Sequence, residues 1–179
     1  TFVRDYIASS ETVGPTIAKD QASKAIWAIL LALVGMFLYI FIRFRKWQYG
    51  VGSVVALAHD VIIVLGLYSI LQGIMPFSMD IDQSFIAAIL TVVGYSLNDT
   101  VVIFDRIREY LPIYRKRSKK EIYNLALNST LARTLNTGMA TIFVLIVIFI
   151  FGGEVIRGFI FALLFGIVFG TYSSLFVST

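Results

Sequence analysis

Residues 94–109, GYSLNDTVVIFDRIRE, determine which class of protein this sequence can encode. They close an apolar run that begins near Phe85 and has the length of a membrane-spanning helix. Asn98 and Asp99 nevertheless lie inside that run. Because a carboxylate in hydrocarbon is energetically costly, an intramembrane aspartate indicates a functional site. The charged residues that follow Phe104 predict that the helix leaves the membrane there.

The composition is that of a membrane protein. The chain has 179 residues, of which 58% are hydrophobic and 15% charged, whereas soluble domains are nearer half apolar and a quarter charged. It contains no cysteine, which excludes disulfides and thiolate metal sites. The net charge of +4 follows the expected membrane topology, so we expect no nucleic-acid partner. We also expect no metal site.

The hydropathy pattern predicts an all-α membrane protein with a bundle of five transmembrane helices. We expect a transmembrane domain over residues 24–179, preceded by a lead-in over residues 1–23 that contains a short strand at 2–8. The spans are expected at about 24–42, 51–71, 84–104, 133–151 and 155–177.

A further helix is predicted on the membrane surface, over residues 118–131. Ser118 and Glu121 have the spacing of a capping box, which marks a helix start. Ile122, Leu125 and Ala126 behind them share one helical face. This amphipathic pattern is typical of a helix that lies in the membrane interface.

Basic residues define the expected orientation. Of the fifteen Lys and Arg residues, three lie at 43–46 and seven at 106–120. Five alternating spans place both segments on the same side of the membrane, and the positive-inside rule makes that side cytoplasmic. The N-terminal end is then extracytoplasmic and the C-terminal end cytoplasmic.

Three ionisable residues lie within the predicted spans, and all three fall in the cytoplasmic half. They are Asp60, Asp99 and Arg133. We predict that they form a proton pathway, in which separation of an Asp99–Arg133 ion pair lets the carboxylate take up a proton. The alternative is a static pair that locks two helices together. For Asp60 the structural alternative has about equal weight, because a carboxylate near the interface can reach water.

Polar residues accompany these charges. Asp99 shares a helix face with Tyr95 and Ser96, and Asn98 adjoins it, while Arg133 shares a face with Thr130, Asn136 and Thr137. Polar stripes on apolar helices are expected to face the interior of the bundle. His59 could pass protons to Asp60, although a single histidine in such a place is more often simply hydrogen-bonded.

Other patterns are less specific. Gly166 and Gly170 match the GxxxG pattern of closely packed helices. Asp80 and Asp82 are too few for a cation site, and helix capping by Asp82 is expected instead. The basic loop determines topology and could contact anionic lipid. Because no P-loop or nucleophile elbow is present, we expect no enzyme activity.

The signature at 94–109 resembles that of the SecF family of bacterial protein-export membrane proteins. Three other segments carry the same resemblance: VGP at 13–15, AHD at 58–60 and ARTLNT at 132–137. Together they extend the likeness over nearly the whole chain.

The resemblance implies an RND-type fold, in which SecF and its partner SecD each supply a six-helix half. It implies that the proton-motive force drives preprotein export through the SecYEG channel in the bacterial cytoplasmic (inner) membrane. Protons are then the coupling ion, and no cofactor is expected. By the same resemblance Asp99 and Arg133 belong to the proton pathway with an aspartate from SecD, and Asp60 matches a further family aspartate.

This sequence departs from a complete SecF. The first helix and the extracytoplasmic domain after it are absent, so we expect a fragment whose residues 1–12 are the tail of that domain. A fused SecD–SecF chain stays possible. Two other functions stay open: an RND-type exporter half for lipid or small molecules, and a structural scaffold of the export channel.

Overall fold

The computed structural model describes residues 15–179, with side chains from residue 23 onward apart from residue 25. In this part the chain forms five helices: α1 (Pro15–Phe44), α2 (Trp47–Leu71), α3 (Gln83–Ile113), α4 (Lys119–Phe151) and α5 (Glu154–Phe176). All five contain a stretch long and apolar enough to cross a membrane. The predicted five-helix bundle is therefore confirmed, and the chain is a multi-pass membrane protein. The strand predicted over residues 2–8 and the rest of the lead-in before residue 15 lie outside the described residues.

Two connections are so short that the helices on either side run antiparallel. Only Arg45 and Lys46 separate α1 from α2, and Arg45 has a positive φ of 54°, a backbone conformation that ends the helix. Gly152 and Gly153 separate α4 from α5. α2 therefore begins at Trp47, four residues before the expected start of its span.

The prediction of a separate interfacial helix over residues 118–131 is wrong. α4 is one continuous helix from Lys119 to Phe151, because no glycine or proline interrupts the sequence between residues 119 and 137. The predicted capping box is present: Ser118 Oγ accepts from the Glu121 N–H at 3.3 Å, and Glu121 Oε2 accepts from the Ser118 N–H at 3.1 Å. At 33 residues, α4 is about 50 Å long and exceeds the roughly 30 Å of hydrocarbon.

α3 is the central helix and contacts each of the other four. Its closest neighbour is α5, whose Gly166 and Gly170 face Val92 and Ser96 of α3. A Cβ atom at Gly166 would overlap the Val92 side chain, and one at Gly170 would lie 3.1 Å from Ser96 Cβ. The GxxxG pattern therefore does mark a close helix contact, in which two positions four residues apart on α5 face two positions four residues apart on α3.

Aromatic residues fill both ends of the core. Toward one end the Tyr68 ring lies 4.4 Å from the Phe85 ring, and the Tyr68 hydroxyl donates to the Gly158 carbonyl. Toward the other end the Tyr49 and Phe104 rings are 4.7 Å apart. The Tyr68 contacts join α2 to α3 and α5, and the Tyr49 contact joins α2 to α3.

The two basic segments meet at one end of the bundle, as predicted. Arg43, near the end of α1, forms a 3.2 Å ion pair with Asp105 of α3. Arg108 donates to the Arg43 carbonyl at 3.3 Å. We call this end the basic end.

The loop of residues 72–82 closes the opposite end of the bundle. Asp82 accepts a 2.8 Å hydrogen bond from the Phe85 N–H, so it caps α3 as predicted. Asp80 accepts from the Ser78 hydroxyl at 2.7 Å, and Met79 is buried. Both aspartates therefore have local structural partners.

We predict that Gly166→Ala destabilises the full-length protein by about 1–3 kcal/mol, because the new methyl group collides with Val92. The thermal unfolding temperature should fall, and the added change Val92→Ala should restore part of it. Gly66→Ala is the matched control, since nothing lies within 4 Å of a Cβ atom at Gly66. Equal unfolding temperatures for Gly166→Ala and Gly66→Ala would contradict the α3–α5 packing.

The α4–α5 contact can be tested with a disulfide, because this chain has no cysteine of its own. A Cβ atom at Gly138 would lie 4.0 Å from Thr171 Cβ, within the roughly 3.5–4.5 Å typical of disulfides. We expect the double variant Gly138→Cys with Thr171→Cys to lose both free thiols after mild oxidation, measured by maleimide labelling under denaturing conditions. Each single variant should keep its thiol. Two free thiols in the oxidised double variant would show that the helices are not packed this way.

Candidate intramembrane carboxylate site

Asp99 is buried on the central helix, and one of its oxygens has no partner in the part of the chain that the structure describes. Its relative exposure is 5%, and no described residue forms a hydrogen bond with Oδ2. Buried polar atoms in folded proteins normally have a partner. Two nearby helices also carry buried hydroxyls without described partners, Thr134 on α4 and Thr171 on α5. Asp99 is thus a buried carboxylate whose hydrogen bonding is incomplete among the described residues.

Arg133 approaches Asp99 from α4. The Tyr95 hydroxyl of α3 lies 3.4 Å from the Thr141 hydroxyl of α4, which fixes the register of these antiparallel helices. Asp99 lies four residues beyond Tyr95 and Arg133 eight residues before Thr141, both toward the basic end. At a rise of about 1.5 Å per residue, they are about 6 Å and about 12 Å from that contact. Along the bundle axis the two residues are therefore about 6 Å apart. Among the described residues, however, the two do not form an ion pair within 4 Å.

The polar stripe on α4 does not face the bundle interior as predicted. Thr130 is buried, but Arg133, Asn136 and Thr137 are exposed. The reason is that α4 turns a different face toward the bundle, formed by small residues spaced four apart, and of the predicted stripe this face includes Thr130 alone. The small residues are Ala126, Thr130, Thr134 and Gly138.

Exposed polar residues occur on both α3 and α4, two helices that contact each other. Asn98 of α3 is exposed as well, and we call Asn98, Arg133, Asn136 and Thr137 together the α3–α4 polar face. Polar and charged side chains at membrane depth normally face protein or a water-filled cavity rather than lipid. This face is therefore a surface that needs a polar neighbour.

Asp60 has the opposite environment to Asp99. It is fully buried and lies where α2, α3 and α5 meet. Its Oδ2 accepts from the hydroxyls of Ser96 at 2.8 Å and Ser173 at 2.7 Å, while Oδ1 lies 3.1 Å from His59 Nδ1. The structure thus brings together three of the predicted residues, Asp60, His59 and Ser96, in one hydrogen-bonded group.

Ser173 is a member of this group that the sequence reasoning missed. A signal was available, because Ser173 lies three residues after Gly170 and so shares the glycine face of α5. Tyr95 was expected on the Asp99 face, and it is partly buried against α4 through Thr141. His59 has a partly exposed side chain beside the Tyr172 ring.

Comparison with known proteins shows which family this chain resembles. The family model described as "Protein export membrane protein SecD/SecF, C-terminal" matches residues 2–179. The protein named "Protein translocase subunit SecF" of Rhodothermus marinus is 56% identical over 97% of this chain and 56% of its own length. The protein of the same name from Rhodobacter capsulatus is 45% identical over 96% of this chain and 50% of its own length.

A solved structure agrees with the fold. The structure described as "Crystal structure of SecDF in Super-membrane-facing form" matches 93% of this chain and 21% of its own with a TM-score of 0.77 and 40% sequence identity. This chain spans about half the length of the curated relatives it matches. The match to the family model covers all five described helices. The chain therefore belongs to the SecD/SecF family of protein export membrane proteins.

Proposed function

We propose that this chain is the membrane part of a SecF-type subunit that uses the proton-motive force to assist Sec-dependent protein export. Asp99 is the proton carrier and Arg133 is its countercharge. The observation that carries the proposal is the burial of the Asp99 carboxylate, whose Oδ2 has no hydrogen-bond partner among the described residues. The names of the relatives, protein translocase subunits SecF, support the export role.

Physical chemistry explains why Asp99 suits this role. Dry surroundings favour the neutral carboxylic acid, and an approaching guanidinium favours the carboxylate. A small change in the position of Arg133 therefore changes which form is stable. Transfer of one proton across the full membrane potential releases about 2.3 kcal/mol per 100 mV, and this energy becomes available for moving helices if protonation and packing are coupled.

The α3–α4 polar face supplies the place where a partner would act. Arg133 is exposed there without a carboxylate within 4 Å among the described residues. The membrane half of SecD, as a separate subunit or in the same chain, would cover this face and provide an acidic residue. Competition between that residue and Asp99 for Arg133 would link proton binding to movement of the two halves. The likeness of this chain to a solved structure of SecDF supports a SecD partner.

The remaining assignments follow from the same proposal. The basic end is cytoplasmic in a bacterial inner membrane, because short basic segments stay inside. The N-terminal end of this chain is then extracytoplasmic and the C-terminal end cytoplasmic. The wider partners are the SecYEG channel, the exported preprotein and membrane lipid. Protons serve as the coupling ion, without a further cofactor and without enzymatic activity of the chain itself.

The test is proton-motive-force-dependent export of a secreted precursor by the full complex. We predict that Asp99→Asn, at matched protein levels and with the complex assembled, reduces export to the level seen without the subunit. The substitution keeps the volume of the side chain and removes the proton-binding group, so lost export reports on proton binding.

Asp105→Asn is the matched control for removing one carboxylate from the same helix. Asp105 is 42% exposed at the basic end, where it pairs with Arg43, and an exposed ion pair contributes little. Export with Asp105→Asn should stay near the wild-type level. If Asp99→Asn also exports at the wild-type level, the proton-carrier role is wrong and the subunit is a scaffold.

A further inference from the structure

The second intramembrane aspartate, Asp60, has a bonding pattern that a proton carrier does not need. Three donors surround its two carboxylate oxygens: the hydroxyls of Ser96 and Ser173, and Nδ1 of His59. An ionised carboxylate only accepts hydrogen bonds, so it can satisfy all three donors at once. His59 takes part as a donor when its hydrogen is on Nδ1.

The donors come from three different helices. His59 belongs to α2 itself, Ser96 to α3 and Ser173 to α5. One carboxylate therefore ties the two helices of the glycine contact to a third helix. Gly170 makes room for this arrangement, since a Cβ atom there would lie 3.6 Å from Asp60 Oδ2 and 3.1 Å from Ser96 Cβ.

Ser96 connects this group to the site of Asp99. It lies three residues before Asp99, on the same turn of α3 and on a neighbouring part of its surface. A hydrogen bond that fixes Ser96 against α5 also fixes the rotation of α3 about its axis at this level. That rotation decides whether Asp99 stays buried within reach of Arg133.

We propose that Asp60 is a positioning residue and not a proton carrier. Its carboxylate accepts hydrogen bonds from Ser96 of α3 and Ser173 of α5 and so joins these two helices; we call this pair of hydrogen bonds the clasp. The clasp fixes the position of the turn of α3 that carries Asp99. This role rests on the proposed function of Asp99, but it concerns a different group and can be tested separately.

Two substitutions at Asp60 separate positioning from proton transfer. In Asp60→Asn the amide oxygen can accept from both serines, and the amide nitrogen can donate to His59 Nδ1 in its other neutral tautomer. This variant keeps the clasp and removes the proton-binding group. Asp60→Leu has a similar volume and removes both carboxylate oxygens. Each serine hydroxyl then keeps the Gly170 carbonyl as an acceptor, at 3.5 Å from Ser96 and 3.1 Å from Ser173, but loses its bond to α2.

The experiment compares these variants in the full complex with the double variant Ser96→Ala with Ser173→Ala. We expect Asp60→Asn to keep more than half of the proton-motive-force-dependent export. We expect Asp60→Leu and the double serine variant to lose about tenfold, as the loss of buried hydrogen bonds would cause. The double serine variant tests the clasp even if Asp60→Leu does not assemble.

A second readout separates positioning from general stability. The infrared carboxyl band of Asp99, identified by its loss in Asp99→Asn, should keep its frequency in Asp60→Asn. It should shift in Asp60→Leu and in the double serine variant, because the surroundings of Asp99 change.

Two results would overturn the proposal. One is loss of export in an assembled Asp60→Asn complex to the level of Asp99→Asn, which would make Asp60 a carrier. The other is an unshifted Asp99 band in the double serine variant. If Asp99→Asn exports normally, the proposed function fails, while the band still decides whether Asp60 positions Asp99.

Discussion

The close approach of α3 and α5 at Gly166 and Gly170 is the contact on which the other features depend. With no side chains at these two positions, α5 lies directly against Val92 and Ser96. Hydrocarbon surroundings give helices little hydrophobic reason to associate, so close packing and interhelical hydrogen bonds carry much of the association. Here the two act together, because the glycine contact brings the Ser96 hydroxyl to Asp60.

Two buried aspartates in this bundle illustrate how surroundings divide roles between identical side chains. Asp60 has a hydrogen-bond partner at each of its oxygens, and these partners come from three helices, so its side chain holds α2, α3 and α5 together. Asp99 has an oxygen without a described partner and an arginine nearby. Gain or loss of a proton at Asp99, as we propose, would therefore leave the α3–α5 contact formed.

Much of this organisation could be predicted from the sequence. The five spans, the shared end of the basic segments and the GxxxG contact all follow from hydropathy, charge and spacing, since each is a local pattern with a direct physical consequence. The separate surface helix was predicted wrongly, because amphipathic residues before Arg133 resembled an interfacial segment although nothing in the sequence breaks the helix. Which face of α4 is buried could not be predicted from polarity alone. The small residues ending at Gly138 determine that face, and they turn Arg133 outward.

The most direct test of the account is an infrared difference spectrum of the full complex, recorded in vesicles while a pH gradient is imposed and then removed. We predict that a protonated-carboxyl band appears and disappears with the gradient, is absent in Asp99→Asn and is retained in Asp60→Asn. A band that persists in Asp99→Asn, or a wild-type complex without a gradient-dependent carboxyl band, would contradict the claim that Asp99 carries the proton.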